Sequence, residues 1–358
     1  MNSAFIKRTT FAAFVLITAL GCEHDAGLPP EPRHEGWIFM GLSDKEIHRV
    51  RLFGDYLYAC SGRDGLYRIN VQQNDENWEF LGLADSTLPR RIDGVRDVAV
   101  LEDTILVAYS PRYGEPGIYR AVAGEYDWQP SNNEIDLGIS ILAPSPFHTK
   151  TIFAGSLGGR VYKSTDFGRN WNAVWEFFLT GPDIVVIRFH PILTNEIWVG
   201  GQGFDSAELA RSTDGGENWQ DMKQIIKTIL FQQHGDSLRF PQTFSENAFD
   251  SEDGNMMYLG SDWLWKSQDG GNSWSLVLDS FVWTVADNPS NPNEIILSSD
   301  FIYKTLDGGN SWETIEMPIP NSGPGFLAMD WGKRILYTTV FNRPLEIDES
   351  PGVYKMFF

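Results

Sequence analysis

Apolar and polar residues alternate along this chain in short runs of four or five, the period of strands that bury one face. Four such runs follow one another in Ser140-Ile141-Leu142-Ala143, Thr151-Ile152-Phe153-Ala154-Gly155, Arg160-Val161-Tyr162-Lys163 and Trp171-Asn172-Ala173-Val174. Gly, Asn, Asp, Ser and Pro separate them, the residues that turn a chain. The pattern predicts an all-β protein with many tight turns. One interruption is helical: in the insert 223–239, Ile225, Ile226, Ile229, Leu230 and Phe231 recur at three and four residues. That spacing predicts a short amphipathic helix, packed on the rim or offering an apolar patch to a partner, with packing favoured.

The turns repeat. Ser164-Thr165-Asp166-Phe167-Gly168-Arg169-Asn170-Trp171 returns as Ser212-Thr213-Asp214-Gly215-Gly216-Glu217-Asn218-Trp219. It returns again as Ser267-Gln268-Asp269-Gly270-Gly271-Asn272-Ser273-Trp274 and as Thr305-Leu306-Asp307-Gly308-Gly309-Asn310-Ser311-Trp312. The shared spacing is Ser/Thr-x-Asp-x-Gly-x-x-Trp. In such a turn the Asp accepts backbone N–H groups, the Gly takes a positive φ, the hydroxyl binds the same turn, and the Trp wedges between neighbouring sheets. Asp166, Asp214, Asp269 and Asp307 are therefore expected to form turns and not to catalyse, with Trp171, Trp219, Trp274 and Trp312 as their wedges. Degenerate copies lead to Trp78 and Trp128.

The four copies resemble Asp-box repeats, the hairpin signature of several β-propeller families. Trp37, Trp78, Trp128, Trp171, Trp219, Trp274 and Trp312 lie 41, 50, 43, 48, 55 and 38 residues apart, the length of one four-stranded blade with variable loops. Val353-Tyr354-Lys355-Met356-Phe357-Phe358 leads into a repeat without a Trp strand, and Gly36-Trp37-Ile38-Phe39-Met40-Gly41-Leu42 is a Trp strand without a leading one. Joined, they make one blade. The expectation is a seven-bladed β-propeller of four-stranded antiparallel blades over residues 35–358, its ring closed by the N-terminal strand and its sheet edges thereby removed. A two-sheet sandwich gives no reason for such a period, and a helical solenoid needs a different apolar spacing.

Residues 1–21 form a separate object. Lys7 and Arg8 precede an apolar run ending at Leu20 that is too short to span a bilayer, the layout of a secretory signal. Thr18-Ala19-Leu20-Gly21-Cys22 resembles a bacterial lipoprotein cleavage box, which implies lipidation of Cys22 and a polar tether over 22–34. That tether reaches at most ~45 Å when extended. The implied location is the bacterial cell envelope, periplasmic or cell-surface, with membrane contact through the lipid alone. Cys60 then remains without a disulfide partner, and its strand-like setting predicts a buried, inert thiol.

Charge narrows the function. The 28 Lys and Arg face 48 Asp and Glu, a net charge of −20. Such a surface repels phosphate backbones, so nucleic acid is excluded as a partner. The six His residues are scattered and none is paired at ligand spacing, so no metal and no cofactor is expected. The chain is expected to act as a monomer.

In a propeller the repeat turns lie on one face and the loops between second and third strands lie on the other, so ligand or partner contacts are sought in those loops. They carry Arg63 and Asp64, then Arg112, Tyr113 and Glu115, then Arg160, then Phe204 and Asp205, then Asp262 and Trp263, Asp300 and Phe301, and Arg343. Aromatics beside carboxylates and Arg suit a sugar- or peptide-binding face. The first strands, which line the axial channel, contribute Arg49, Arg51, Arg96, Asp97, Arg188, His190 and Asp330.

Asp-box propellers include sialidases, xyloglucanase-type glycoside hydrolases, sortilin receptors, and the photosystem II assembly and stability factors with their relatives. A sialidase implies an Arg cluster introduced by Phe/Tyr-Arg-Ile-Pro, and the nearest approach here, Arg90-Arg91-Ile92-Asp93, lacks the Pro. Sialidases are also six-bladed. The xyloglucanase type implies a cleft between two propellers, and the sortilins a larger ring with a Cys-rich module. The whole-length resemblance is to the single-propeller assembly-factor group, which implies an exported or lipid-anchored protein that binds other proteins without catalysis. The photosynthetic members use a basic patch for their client; this chain is acidic, so the general role is what carries over. The alternative is a glycoside hydrolase or glycan-binding protein that uses the loop carboxylates and aromatics.

Overall fold

The computed structural model describes residues 36–73, 77–87, 94–110, 117–177, 183–203, 207–234, 246–249, 254–317, 319, 322–342 and 352–358, with the backbone alone at 233–234, 246–249 and 341–342. The first strand, β1 (Trp37–Gly41), stands apart from its sequence neighbours. Blade 1 holds β2 (Arg49–Phe53), β3 (Tyr56–Cys60), β4 (Leu66–Asn70) and β5 (Glu79–Gly82), and blade 2 holds β6 (Gly94–Leu101), β7 (Thr104–Ser110), β8 (Gly117–Val122) and β9 (Gln129–Pro130). Blade 3 follows with β10 (Ile139–Pro144), β11 (Ile152–Ser156), β12 (Arg160–Ser164) and β13 (Asn172–Glu176). Blade 4 has β14 (Asp183–Phe189), β15 (Ile197–Gln202), β16 (Glu208–Ser212) and β17 (Gln220–Asp221), after which comes the helix α1 (Lys223–His234). Blade 5 comprises β18 (Glu246–Phe249), β19 (Met257–Gly260), β20 (Leu264–Ser267) and β21 (Ser275–Leu278), and blade 6 β22 (Thr284–Asn288), β23 (Asn291–Ser298), β24 (Ile302–Thr305) and β25 (Glu313–Ile315). β26 (Ser322–Asp330), β27 (Ile335–Asn342) and β28 (Val353–Phe357) complete the chain.

Seven four-stranded antiparallel sheets result, and the chain is a seven-bladed β-propeller. The seventh sheet has the order β1-β28-β27-β26. Trp37 pairs with Met356, Ile38 with Lys355 and Phe39 with Tyr354, so the N-terminal strand closes the ring against the C-terminal one. The second strands are covered by neighbouring blades on both faces, and every residue of β7 and β11 is buried. The cores therefore lie between blades. Tyr58, Cys60 and Leu66 of blade 1 pack with Val95, Val98 and Val107 of blade 2. Met40, Tyr337 and Val353 of blade 7 pack with Val50, Leu57 and Ile69 of blade 1. In that setting Cys60 is buried, and loss of solvation pushes its thiol pKa well up. The insert forms α1, which buries Ile226 and Leu230 against Trp198 and Trp274 and leaves Ile225 and Phe231 exposed.

Two local devices recur around the ring. In blades 1 to 6 the turn after the third strand donates a backbone N–H to the connection between the first two strands or, in blade 6, to the start of the second strand; in blade 7 the C-terminal Phe358 is the donor. The donors and acceptors are Val71 to Asp55, Ala123 to Asp103, Phe167 to Lys150, Gly215 to Asn195, Gly270 to Asn255, Gly308 to Asn293, and Phe358 to Arg334, at 2.7–3.1 Å. The four repeat turns add side-chain bonds: Asp166 Oδ1 accepts from Ser164 Oγ and from the Arg169 and Asn170 amides, and Asp214 does the same with Ser212, Glu217 and Asn218. Asp269 and Asp307 accept the hydroxyl two residues before them and both donors of Ser273 and Ser311. These bonds hold the Asp214 and Asp307 carboxyls at about 2, below the ordinary carboxylate value. Gly168 closes its turn at φ 71, and a Cβ there would lie 2.1 Å from Leu106 Cδ2. Phe167 adopts φ 60 where the other turns have Gly215, Gly270 and Gly308, and its ring packs on the core between blades 2 and 3.

The Trp indoles use two partners. Trp171, Trp219 and Trp274 donate to Gly168, Gly216 and Gly271 of their own turns. Trp37, Trp78, Trp128 and Trp312 reach the preceding blade instead, donating to Glu316, Met40, Leu81 and Val277 carbonyls at 2.6–3.0 Å. Where the turn lacks the full motif, the Trp is thus a tie between blades; Trp312 makes the same tie although its turn is complete.

Toward the axis, Asp97 of β6 is fully buried and accepts from three blades. Arg51 gives Nε at 3.0 Å and Nη2 at 2.9 Å, Arg49 gives Nη1 at 3.3 Å, and the Val98 and Leu142 amides lie at 2.9 and 3.0 Å. Burial alone raises this carboxyl's pKa, but Arg51 and Arg49 outweigh it and hold the group below its ordinary value.

Two predictions follow from these ties. Trp171→Ala empties a fully buried site and is expected to destabilise the fold by about 3–5 kcal/mol, whereas Trp128→Phe, which deletes the N–H that Leu81 accepts, costs about 1 kcal/mol; denaturant titration measures both. Asp97→Asn leaves two guanidinium groups around a neutral amide and is expected to cost about 3 kcal/mol or more. Because the folded pKa is depressed, the charge-dependent part of that difference is fully present above the ordinary carboxylate value and disappears as pH falls through the folded one. Denaturation of parent and variant from about pH 7 down to about pH 3 should therefore show their gap narrowing below about pH 4; a gap independent of pH would show that the Asp97 charge contributes nothing.

Candidate functional site

The first strands of five blades, β2, β10, β14, β22 and β26, enclose an axial cavity of about 440 Å³. Arg49, Arg51, Arg188 and Asp287 supply its charge, and Phe53, Phe189 and Trp331 its aromatic wall. Because first strands run toward the repeat turns, Phe53, Pro146 and Trp331 place the cavity at the turn end of the channel, away from the loops between second and third strands. Its ions are organised in pairs. Arg49 and Arg51 hold Asp97 as described, the Arg49 guanidinium also lies 4.6 Å from the Phe326 ring centroid, and Arg188 Nη2 meets Asp287 Oδ1 at 3.2 Å and the Val285 carbonyl at 3.4 Å. The last pair joins blade 4 to blade 6.

Other polar groups of the first strands have different places. Arg96 occupies a bulge between Val95 and Asp97 and faces His48, whose pKa falls to about 4 through burial and the nearby Arg96 charge. His190 lies off the cavity wall: Nδ1 accepts the Ile192 and Leu193 amides, so Nε2 carries the proton toward the Gly254 carbonyl. Asp330 accepts the Lys333 amide at 2.9 Å and closes the next turn. The sequence pattern pointed to Arg49, Arg51 and Arg188 but missed Asp287, which lies within the short strand β22 and carries no motif.

Among the loop residues, Arg63 and Asp64 lie in the Ser61–Gly65 turn, where the Asp64 amide donates to Ser61 and the Arg63 carbonyl accepts from Asp85. Arg160 is held by Asp136 at 2.7 Å, by Glu176 and by the Tyr162 hydroxyl, and these bonds push its pKa up. Asp300 accepts Tyr303 Oη at 2.8 Å, Ser299 Oγ at 3.0 Å, Ser280 Oγ at 3.1 Å and the Phe301 amide at 3.1 Å. Its burial raises the pKa, yet these hydrogen bonds prevail and the net shift is downward. Asp262 and Trp263 form the equivalent loop of blade 5, with Trp263 edge-on to Trp265 at 6.5 Å, and Phe301 stands edge-on to Tyr303 at 6.3 Å. Arg112, Tyr113, Glu115, Phe204, Asp205 and Arg343 lie outside the described residues, as do Arg90, Arg91 and Cys22.

A second feature of this face went unnoticed in the sequence. The segment joining β21 to β22 carries Phe281 and Trp283, whose rings meet edge-on at 4.8 Å, and Trp283 is the one exposed tryptophan of the 13. The signal was an aromatic pair at i and i+2 in a loop, where alternation has no buried face to explain it. Among the described residues no group of three His, Cys, Asp or Glu is placed to hold a metal ion, and no helix is long and apolar enough to cross a membrane.

No protein-family model matches the sequence, and no curated protein matches it. Solved structures do. The xyloglucanase of Xanthomonas campestris superposes with a TM-score of 0.64 at 17% identity, covering 88% of this chain and 52% of that one, so this chain spans about half the enzyme's length. YCF48 bound to a D1 peptide gives 0.64 at 12% identity over 92% of this chain and 99% of that one. A chain of the mitotic checkpoint complex gives 0.60 at 11% identity over 98% and 99%. At these identities the likeness establishes the β-propeller fold.

Proposed function

We propose that this chain is an exported, lipid-anchored propeller of the bacterial cell envelope that serves as a non-catalytic protein-binding or assembly module. One observation carries the proposal: Asp97 and Asp287 at the axis and Asp300 in the blade 6 loop are committed to intramolecular bonds. Hydrolysis of a glycoside needs two carboxyl groups facing one bond, one of them kept protonated by a raised pKa. Asp97 and Asp300 are shifted the other way, toward the permanently ionised form, and Asp287 faces Arg188. Such groups brace a scaffold. The propeller offers its loops and rim for contact, and the YCF48 structure, of the same extent, was solved with a peptide bound. The xyloglucanase is about twice as long. Cys22, in its lipoprotein-like box, would tether the folded ring through 22–34.

The full chain is expected to release no product from a panel of xyloglucan oligosaccharides and sialosides. Release that disappears when a single loop carboxylate is changed would overturn the proposal. Cross-linking in the native envelope should capture a protein whose complex can be rebuilt from purified components, and Cys22→Ala should shift the chain from the membrane to the soluble fraction; a chain that stays membrane-bound after that change would refute the lipid anchor.

A further inference from the structure

The face carrying the loops between second and third strands has one sector of distinctive chemistry, where blades 5 and 6 meet. Three segments build it: 261–264, 278–284 and 298–302. Together they contain Trp263, Phe281, Trp283 and Phe301 with Asp262, Asp279 and Asp300, and no Lys, Arg or His. The central segment is bonded to both neighbours. The Val282 amide donates to the Ser261 carbonyl and the Trp283 amide to the Ser298 carbonyl, each at 2.9 Å, while Ser280 Oγ lies 2.6 Å from Ser299 Oγ. Phe281 and Trp283 therefore stand on a braced ledge, and Trp283 remains 48% exposed. An exposed tryptophan held in place at a site that packing does not require is a surface prepared for contact.

The surrounding charge selects the contact. Aromatic faces, tryptophan above all, attract cations through the ring quadrupole, and guanidinium groups stack on them as flat ions. Asp262 is half-buried beside the ledge and Asp279 is exposed on it. Asp300 beneath is fixed by its four donors. The long-range field of a chain with net charge −20 adds to the attraction. We propose that the Phe281–Trp283 ledge, with Asp262 and Asp279, is the docking point for an arginine side chain presented by a basic segment of the partner protein. This inference rests on the protein-binding reading above and names the partner's chemistry. A neutral sugar would stack on the same ring, but it would gain nothing from the negative charge of these three segments.

Calorimetric titration of the full chain tests it with four probes: the peptide amide acetyl-Gly-Arg-Gly-Arg-Gly, its lysine counterpart, its citrulline counterpart, which keeps the shape and removes the charge, and cellotetraose. The arginine peptide is expected to bind saturably, tenfold or more tighter than the citrulline peptide, and to weaken as salt is raised. Trp283→Ala should weaken it at least fivefold and Asp279→Asn about threefold, the thermal midpoint unchanged for the exposed Asp279 and lowered only slightly for Trp283, whose half-exposed ring packs on Phe281; Trp283→Phe should fall between parent and Ala. Equal binding to parent and Trp283→Ala would assign the affinity to diffuse charge and overturn the proposal. Equal binding of the citrulline peptide, Trp283-dependent binding of cellotetraose, or binding of no probe would overturn it as well. Trp283→Ala also separates this inference from the wider one: a rebuilt partner complex that survives the change leaves the protein-binding role standing and removes the ledge from it.

Discussion

The architecture depends on one backbone pairing, that of β1 with β28. Seven sheets arranged around an axis bury both faces of their inner strands only if every blade has two neighbours, and blade 7 obtains its fourth strand from the opposite end of the chain. The pairing removes the open edge that an unclosed array would present. It also positions the N-terminal Trp37 to donate to Glu316 of blade 6, and Met40 both to accept from Trp78 and to pack in the core shared with blade 1. A single strand thus joins three blades.

Elsewhere the ring is held by contacts that differ from blade to blade although the blades share one plan. A backbone bond beside these turns recurs in every blade, whatever the side chains there. The side-chain ties are distributed more selectively. Blades 3, 4 and 5 carry the full turn motif, and their Trp indoles satisfy their own turns; blades 7, 1 and 2 lack it, and their Trp indoles satisfy the preceding blade. Near the axis of blades 1 to 3, Asp97 gathers two arginines and two backbone amides. The sector without self-bonded turns is the one stitched together by cross-blade bonds and a buried ion cluster.

The two regions open to a ligand differ in sign. The channel has three arginines on its wall, each engaged with a carboxylate, in a protein whose overall charge is strongly negative. The segments 261–264, 278–284 and 298–302 of blades 5 and 6 have aromatics and carboxylates with no base among them. In the channel, pairing with Asp97 and Asp287 holds the arginines in place and yields rigidity. On the ledge, the Asp279 carboxylate is exposed beside an exposed indole.

The fold was legible in the sequence because its determinants are local and repeated. Strand alternation, the turn motif and the Trp period all report short-range physics, and the half-blades at the two ends could be joined on paper because a ring leaves no other place for them. The helix over 223–234 was legible for the same reason. What the side chains of those elements do was decided by tertiary structure. Trp171 and Trp128 occupy the same position in the repeat, yet one bonds its own turn and the other a different blade. Asp287 and Arg188 are 99 residues apart and meet because the ring brings blade 6 within reach of blade 4. His190, placed by its strand among the channel residues, turns aside to bind two amides. Trp283 shows the limit most plainly: a tryptophan in a loop can be core or surface, and only the bonds that fix its segment between two neighbouring loops decide that it stands exposed.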